Sequence, residues 1–336
     1  MCGFAGIINN DFPVHKKQLA DIAAYAKFRG PDSCGLRIYN EEMLESPAGV
    51  HAFFFNRLAI IDIDPRSNQP FENERYTLLF NGEIYNYKEL REELIQKGCS
   101  FHTSSDTEVL FYALQHWGTQ ALSKLNGMFA FCFIDRQEKS FIIARDRMGI
   151  KPLYYKRSGN GFVFASELYS LLRLSHQPAA IDVESIKMYL WMQCIPTPYT
   201  GVKDVYKLPP GNYITGSWQP SAPVIVSIAS PFWNAYEAVQ QNETTKDELE
   251  QLLTGTLKRQ LVADVPLGLF LSSGVDSSLL AALVHKYFSK DRQFNFYTVA
   301  FSEATSSDES HEAMNFIKGF NNPALLNHTL VIDPVF

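Results

Sequence analysis

Short apolar runs separated by turn residues fill the stretch 1–175: Cys2–Ile8, Gly35–Tyr39, Val50–Phe55, Thr77–Phe80, Phe129–Ile134, Phe141–Ala144, Leu153–Tyr155 and Phe162–Ala165. Runs of this length bounded by breakers predict strands. A 3.6-residue period replaces them at Lys16–Phe28, where Leu19, Ile22, Ala23 and Ala26 share a face, and again at Lys88–Lys97 and Thr107–Trp117. The last of these has punctuation at both ends. Ser105 and Glu108 form an S-x-x-E capping box, and Gly118 follows the final apolar position. Asp106 is therefore expected to open a helix.

From Ala179 to Tyr213 a helical pattern gives way to Ile195-Pro196-Thr197-Pro198 and Leu208-Pro209-Pro210-Gly211, which reads as an interdomain crossing. Gly216–Pro231, rich in Ser, Pro and Ala, reads as a linker. After it the pattern changes. Thr245–Gln260 and Ser277–Phe288 are helix-like, whereas Val265–Leu271, Asn295–Phe301 and a third run near Leu325–Ile332 are apolar without alternation. Unalternating strands interleaved with helices predict a parallel α/β sheet. The expected division is thus 1–215 with a crossing at about 180–215, a linker at 216–244, and a second domain at 245–336.

At 336 residues and 38.1 kDa, with 46% hydrophobic residues, the chain has the material for about two domains. A net charge of −6 offers no basic footprint for nucleic acid, and no apolar stretch approaches the ~20 residues of a membrane span. Five scattered cysteines without C-x-x-C, and eight histidines without a metal-ligand spacing, argue against a disulfide framework or a zinc site. A cytoplasmic protein is expected. A homodimer is one assembly open to it.

Cys2 has an unusual address. With a small residue next to it, the initiator Met1 is removable, and the α-amine of a terminal cysteine then serves as proton shuttle for its own thiol. Asn81-Gly82, directly after the run Thr77–Phe80, signals a tight turn. Alternatively, the Asn81 amide and the Gly82 N–H supply an oxyanion hole for acyl transfer. Arg57 is a fork for a substrate carboxylate or a surface charge; Asp106 is a partner for a substrate ammonium or a helix-end charge. Leu271-Ser272-Ser273-Gly274-Val275-Asp276-Ser277-Ser278 lies between a buried strand and a helix start. Such a loop cradles phosphate on its backbone amides, or is an ordinary turn capped by Ser277.

Several segments together resemble the glutamine-hydrolysing asparagine synthetase family: Cys2-Gly3 with Gly6-Ile7, Arg29-Gly30-Pro31-Asp32, Arg57-Leu58-Ala59-Ile60-Ile61-Asp62, Asn81–Asn86, Ser105–Glu108, Gly127–Ala130, and Ala144–Leu153. The resemblance covers essentially the whole chain. It implies an α+β N-terminal-nucleophile glutaminase of αββα layering, followed by a partial α/β parallel-sheet ATP-pyrophosphatase domain. It also implies Cys2 as nucleophile and Asn81 and Gly82 as oxyanion hole. The implied glutamine-binding set is Arg57, Leu58, Ala59, Ile60, Ile61, Asn81, Gly82, Glu83 and Asp106. Leu271, Ser272, Ser273, Gly274, Asp276, Ser277 and Val299 fall on the ATP site, with Asp276 the candidate Mg²⁺ ligand. The family carries glycine where this chain has Ser273, and a serine forced to positive φ would cost about 1 kcal/mol.

The implied reaction takes ammonia from glutamine at Cys2 and uses ATP and Mg²⁺ to activate a carboxylate, that of aspartate in the family, as an acyl-adenylate. Amidophosphoribosyl and hexosamine-phosphate enzymes resemble the first half only. A relative amidating a sugar acid would carry the same motifs, and a glutamine-binding interaction module with an inactive ATP site is the non-enzymatic alternative. A doubly wound sheet needs more strands than 245–336 supplies. The chain as it stands is therefore expected to hydrolyse glutamine and to form little acyl-adenylate.

Overall fold

The computed structural model describes residues 1–220, 222–238, 244–290, 292–302 and 308–333. The chain divides into two compact units, Met1–Gln241 and Asn242–Phe336.

In the first unit the described residues form two large antiparallel sheets. One has the order 206–207, 154–158, 161–165, 3–8, 51–57, 33–39; the other runs 225–226, 212–217, 140–145, 127–135, 76–84, 71–72, with 230–231 also pairing along 212–217. Strand Gly3–Ile8 lies between His51–Arg57 and Gly161–Ala165, so both its edges are paired and every residue is buried. That accounts for its continuous apolar composition.

The alternation of side chains sorts the layers. Phe4, Ile8, Phe53 and Phe55 point to the second sheet and meet Leu79, Cys132, Phe141 and Ile143 between the sheets. Ala5, Ile7, Phe54 and Val163 point the other way, onto Leu19, Ile22 and Ala23 of helix Lys16–Tyr25 and Leu171 and Leu174 of helix Leu168–Ser175. Helices Tyr87–Gln96 and Asp106–Trp117 cover the outer face of the second sheet, where Phe111 meets Phe71, Tyr76 and Phe133 edge-on. The layering is αββα.

Three expectations need correction. Asn81-Gly82 is no turn, because Tyr76–Ile84 continues as one strand through both residues, opposite Ala130 and Phe129. Gln69 makes this extension workable: its side chain accepts from the Phe80 N–H at 2.6 Å and donates to the Phe80 carbonyl at 3.0 Å, standing in for a neighbouring strand. The capping box is half formed, since Ser105 Oγ accepts from the Glu108 N–H at 3.2 Å while the Glu108 carboxylate turns to the N–H groups of His102 and Thr103. The described residues of 206–238, expected to fall in the crossing and linker, belong to the first unit. Tyr206–Lys207 and Asn212–Ser217 pair into the two sheets, Ile225–Val226 and Ser230–Pro231 follow, and Val205, Leu208, Trp218 and Val224 enter the cores. A composition rich in Ser, Pro and Ala conceals single apolar anchors. Of the expected linker 216–244, residues 221 and 239–243 lie outside the described residues.

In the second unit Gly268–Phe270, Phe294–Phe301 and Leu325–Ile332 form a parallel sheet with Phe294–Phe301 in the middle. Helices Lys246–Gln260, Val275–Tyr287 and Ser310–Gly319 contribute Leu257, Ala281, Leu283, Val284, Ala313 and Ile317 to one core with Phe294 and Phe296. The expected parallel α/β character is present. Helix Ser310–Gly319 has no counterpart in the sequence-based expectation.

Candidate active site

The register Gly3↔Asn56 brings Cys2 level with the end of strand His51–Arg57, beside Leu58. Its Sγ accepts from the Leu58 N–H at 3.3 Å and lies 3.6 Å from the Leu58 carbonyl. Arg29 Nε donates to the Cys2 carbonyl at 3.1 Å, which holds the backbone of Cys2 in place. Burial pushes the Cys2 thiol up; the Leu58 hydrogen bond and the positive charges of the N-terminus, Arg57 and Lys151 pull it back. Burial also lowers the terminal ammonium, assisted by Lys151 and Arg29. An amine at this end of the chain is thus driven toward its neutral, basic form. With Met1 attached, that amine belongs to Met1, and the nitrogen of Cys2 is an amide.

Strand geometry aims the next group. Phe129, opposite Gly82, gives both its N–H and its carbonyl to Asp146, at 3.2 and 2.8 Å. Gly82 therefore faces Phe129 without exchanging hydrogen bonds, and its own N–H points to the other edge of the strand. On that edge it lies between Phe80, bound by Gln69, and Ile84, whose N–H donates to Asp106 Oδ2 at 2.9 Å. Position 82 has no room for a side chain, since a Cβ would stand 2.2 Å from the Met128 carbonyl oxygen. Among the described residues, the adjacent Asn81 Nδ2 is buried without a hydrogen-bond partner.

Arg57 is not the open fork expected from its sequence position. Its Nη1 donates to the Asp64 carbonyl at 3.2 Å and Asn68 Oδ1 at 2.9 Å, and its Nη2 to the carbonyls of Ile61, at 3.2 Å, and Asp62. These bonds shape the loop that carries Leu58, Ala59, Ile60 and Ile61, all half-buried. Asp32 holds the same loop from its start by accepting from the Ala59 N–H at 2.8 Å. Asp106 opens its helix as expected. Burial pushes its carboxyl up to about 7, against the Ile84 hydrogen bond and with the nearby Glu83 adding to the rise. Glu83 is itself raised by burial, with Lys151 and the N-terminus opposing.

The residues that position this site, Arg29, Asp32, Gln69 and Asp146, had no role assigned from sequence. Arg29, Asp32 and Asp146 lie inside the motifs that carried the resemblance. Gln69 gave no signal, because a glutamine that replaces a strand's hydrogen bonds looks like any polar loop residue.

In the second unit, Leu271, Ser272, Ser277 and Val299 line a cleft of about 340 Å³ together with Tyr297 and Glu309. Ser277 Oγ accepts from the Ser272 N–H at 3.2 Å, and Ser272 Oγ from the Gly274 N–H at 3.2 Å. Ser273 keeps a negative φ, so the strain expected for a serine here is absent. Its N–H donates to Glu309 Oε2 at 3.0 Å. Asp276 lies in the first turn of helix Val275–Tyr287, exposed. Donor amides at a helix start suit phosphate; among the described residues no group of three or more His, Cys, Asp or Glu converges to hold a metal.

Residues 1–222 match the glutamine amidotransferase domain, and residues 248–333 match asparagine synthase. Asparagine synthetase [glutamine-hydrolyzing] 1 of Bacillus subtilis (strain 168) is 35% identical over 94% of this chain and 49% of its own length. Asparagine synthetase B [glutamine-hydrolyzing] of Escherichia coli (strain K12) is 32% identical over 85% of this chain and 45% of its own length. The chain thus spans about half the length of the curated relatives it matches. Among solved structures, the glutamine phosphoribosylpyrophosphate amidotransferase of B. subtilis covers 99% of this chain and 81% of its own at a TM-score of 0.50 and 16% identity, a likeness of fold. The first of these matches takes in well over half of the chain, and the protein therefore belongs to the glutamine amidotransferase family, with a second unit similar to asparagine synthase.

Proposed function

We propose that this chain releases ammonia from glutamine at Cys2 and belongs to an enzyme that uses it for ATP-dependent amidation of a carboxylate, that of aspartate. The observation that carries the first step is Asn81 Nδ2, a donor buried without a partner beside an edge-directed Gly82 N–H. Leaving such a donor unmade costs about 1–3 kcal/mol, and a developing oxyanion is the acceptor that would use it.

Removal of Met1 frees the α-amine of Cys2, which takes the thiol proton. The thiolate attacks the glutamine γ-carbonyl, and the oxyanion forms toward Asn81 and Gly82. Collapse breaks the C–N bond; the amine returns its proton to the leaving nitrogen, and ammonia departs. Water then cleaves the thioester, releasing glutamate and restoring the thiol. Asp106 and Glu83 meet the substrate ammonium, while the loop Leu58–Ile61, shaped by Arg57, meets its carboxylate end. In the second unit, the loop Leu271–Ser277 and Val299 would hold ATP. Asp276 is the residue available to a Mg²⁺ ion there, whose chemistry is charge neutralisation on the phosphates.

No helix among the described residues is long and apolar enough to cross a membrane. Five free cysteines support a reducing, cytoplasmic setting.

Cys2→Ala is expected to abolish glutamate release from glutamine while glutamine binding stays measurable by calorimetry, since the binding groups remain. Continued hydrolysis by the variant would remove Cys2 as nucleophile. Identification of the amide formed from glutamine, ATP and candidate acids by mass spectrometry tests the choice of aspartate.

A further inference from the structure

The loop assigned above to phosphate already holds an anion supplied by the chain. Three consecutive amides there each have an acceptor from a side chain. Those of Ser272 and Gly274 are satisfied by the hydroxyls of Ser277 and Ser272, neutral groups that also hydrogen-bond to each other at 3.0 Å. The middle one, Ser273, donates to the Glu309 carboxylate at 3.0 Å across 36 positions of sequence. Glu309 precedes helix Ser310–Gly319 without capping it; the neighbouring Asp308 accepts from the Ser310 N–H at 2.9 Å instead. Its carboxylate is therefore committed to the loop and not to its own helix end.

The electrostatics are one-sided. Glu309 lines the same cleft as Leu271, Ser272 and Val299, and no Lys, Arg or His is among the cleft's described lining residues. Asp276 adds a second carboxylate in the first turn of the following helix. A phosphoryl oxygen bound to the Ser273 amide would take the position of Glu309 Oε2 and would meet that charge with no side-chain cation to offset it.

We infer that Glu309 is a specificity-determining residue of this loop: it competes with phosphate for the Ser273 N–H, so the loop excludes bare phosphate anions and admits those paired with a divalent cation. The inference rests on the reading of Leu271–Ser277 as a phosphate loop. A cation between the carboxylate and the phosphate turns the repulsion into a bridge, whereas a free polyanion must displace the side chain while repelled by it. Glu309→Gln keeps an acceptor for the amide and removes the charge. Glu309→Ala removes both.

The test is calorimetric titration of the full chain with inorganic pyrophosphate, with and without Mg²⁺. Without Mg²⁺, binding should strengthen by roughly five- to tenfold in E309Q, the effect of a unit charge at about 4 Å in a solvent-like medium, and at least as much in E309A. The gain that Mg²⁺ brings to the unsubstituted protein should shrink in both variants. If all three proteins bind pyrophosphate with Mg²⁺ but share one Mg²⁺-free affinity, the phosphate loop stands and Glu309 does not select. If none binds pyrophosphate under either condition, the loop reading itself falls, and the inference with it.

Discussion

Asp106 concentrates the electrostatics of the proposed glutamine site in one group. Burial holds its carboxyl at about 7 against an ordinary value of 3.8. A raised carboxyl favours the folded state while protonated, and that contribution is lost as pH rises through about 7. Asp106→Asn should therefore be more stable than the parent at pH 8, with the difference narrowing as pH falls below about 7 and vanishing only below 3.8; thermal melts at pH 8, 5 and 3.5 check it. An ammonium substrate needs the ionised form. Glutamine affinity should accordingly improve from pH 6 to pH 8, with proton release below pH 7 visible as a buffer-dependent calorimetric enthalpy. Arg57 makes a second residue-scale case. Because its guanidinium binds the carbonyls of Ile61, Asp62 and Asp64, and the same loop supplies the Leu58 N–H to Cys2 Sγ, Arg57→Ala should lower kcat as well as raise KM. A change in KM alone would show that the guanidinium acts only on the substrate.

At the scale of elements, the strand Tyr76–Ile84 shows how a side chain completes a sheet. Its inner edge is paired along Gly127–Asp135, but its outer edge is paired by a strand only at Leu78 and Thr77. Beyond that, Gln69 takes both polar groups of Phe80 and Asp106 takes the Ile84 N–H. Gly82 is left between them with its N–H aimed at the same edge. Gln69→Leu should leave the buried Phe80 N–H and carbonyl unpaired and cost about 2–4 kcal/mol, read as a lower denaturation midpoint in guanidinium. The same substitution should reduce glutaminase kcat, since it loosens the strand that presents Asn81 and Gly82. In the second unit, helix Ser310–Gly319 lies outside the sequence-based expectation, although its Ala313 and Ile317 are buried in one core with Phe294 and Phe296.

For the whole molecule, the extent of the first unit follows from where apolar anchors land. Trp218 and Val224 are buried between the sheets, with Trp218 against His51 and Phe141 at ring separations of 5.2 and 6.4 Å. A fragment ending at residue 215 exposes the cavity they fill, at about 3–5 kcal/mol for the tryptophan alone. Fragment 1–238 should therefore melt well above fragment 1–215 in differential scanning fluorimetry. The sequence by itself determined the strand-rich first half, the helices after Lys16, Lys88 and Asp106 and the parallel second unit, and it singled out Cys2 and Asn81-Gly82 as candidates for chemistry. Each of these rests on local period, on a cap, or on a motif contiguous in the chain. Tertiary structure alone decided that Asn81-Gly82 continues a strand, that Arg57 is taken up by its own loop, that Tyr206–Lys207, Asn212–Ser217, Ile225–Val226 and Ser230–Pro231 return to the sheets, and that Glu309 lies on the Ser273 amide. Those outcomes depend on which distant polar group arrives to satisfy a backbone N–H or carbonyl, and no pattern within a few residues of either partner records that meeting.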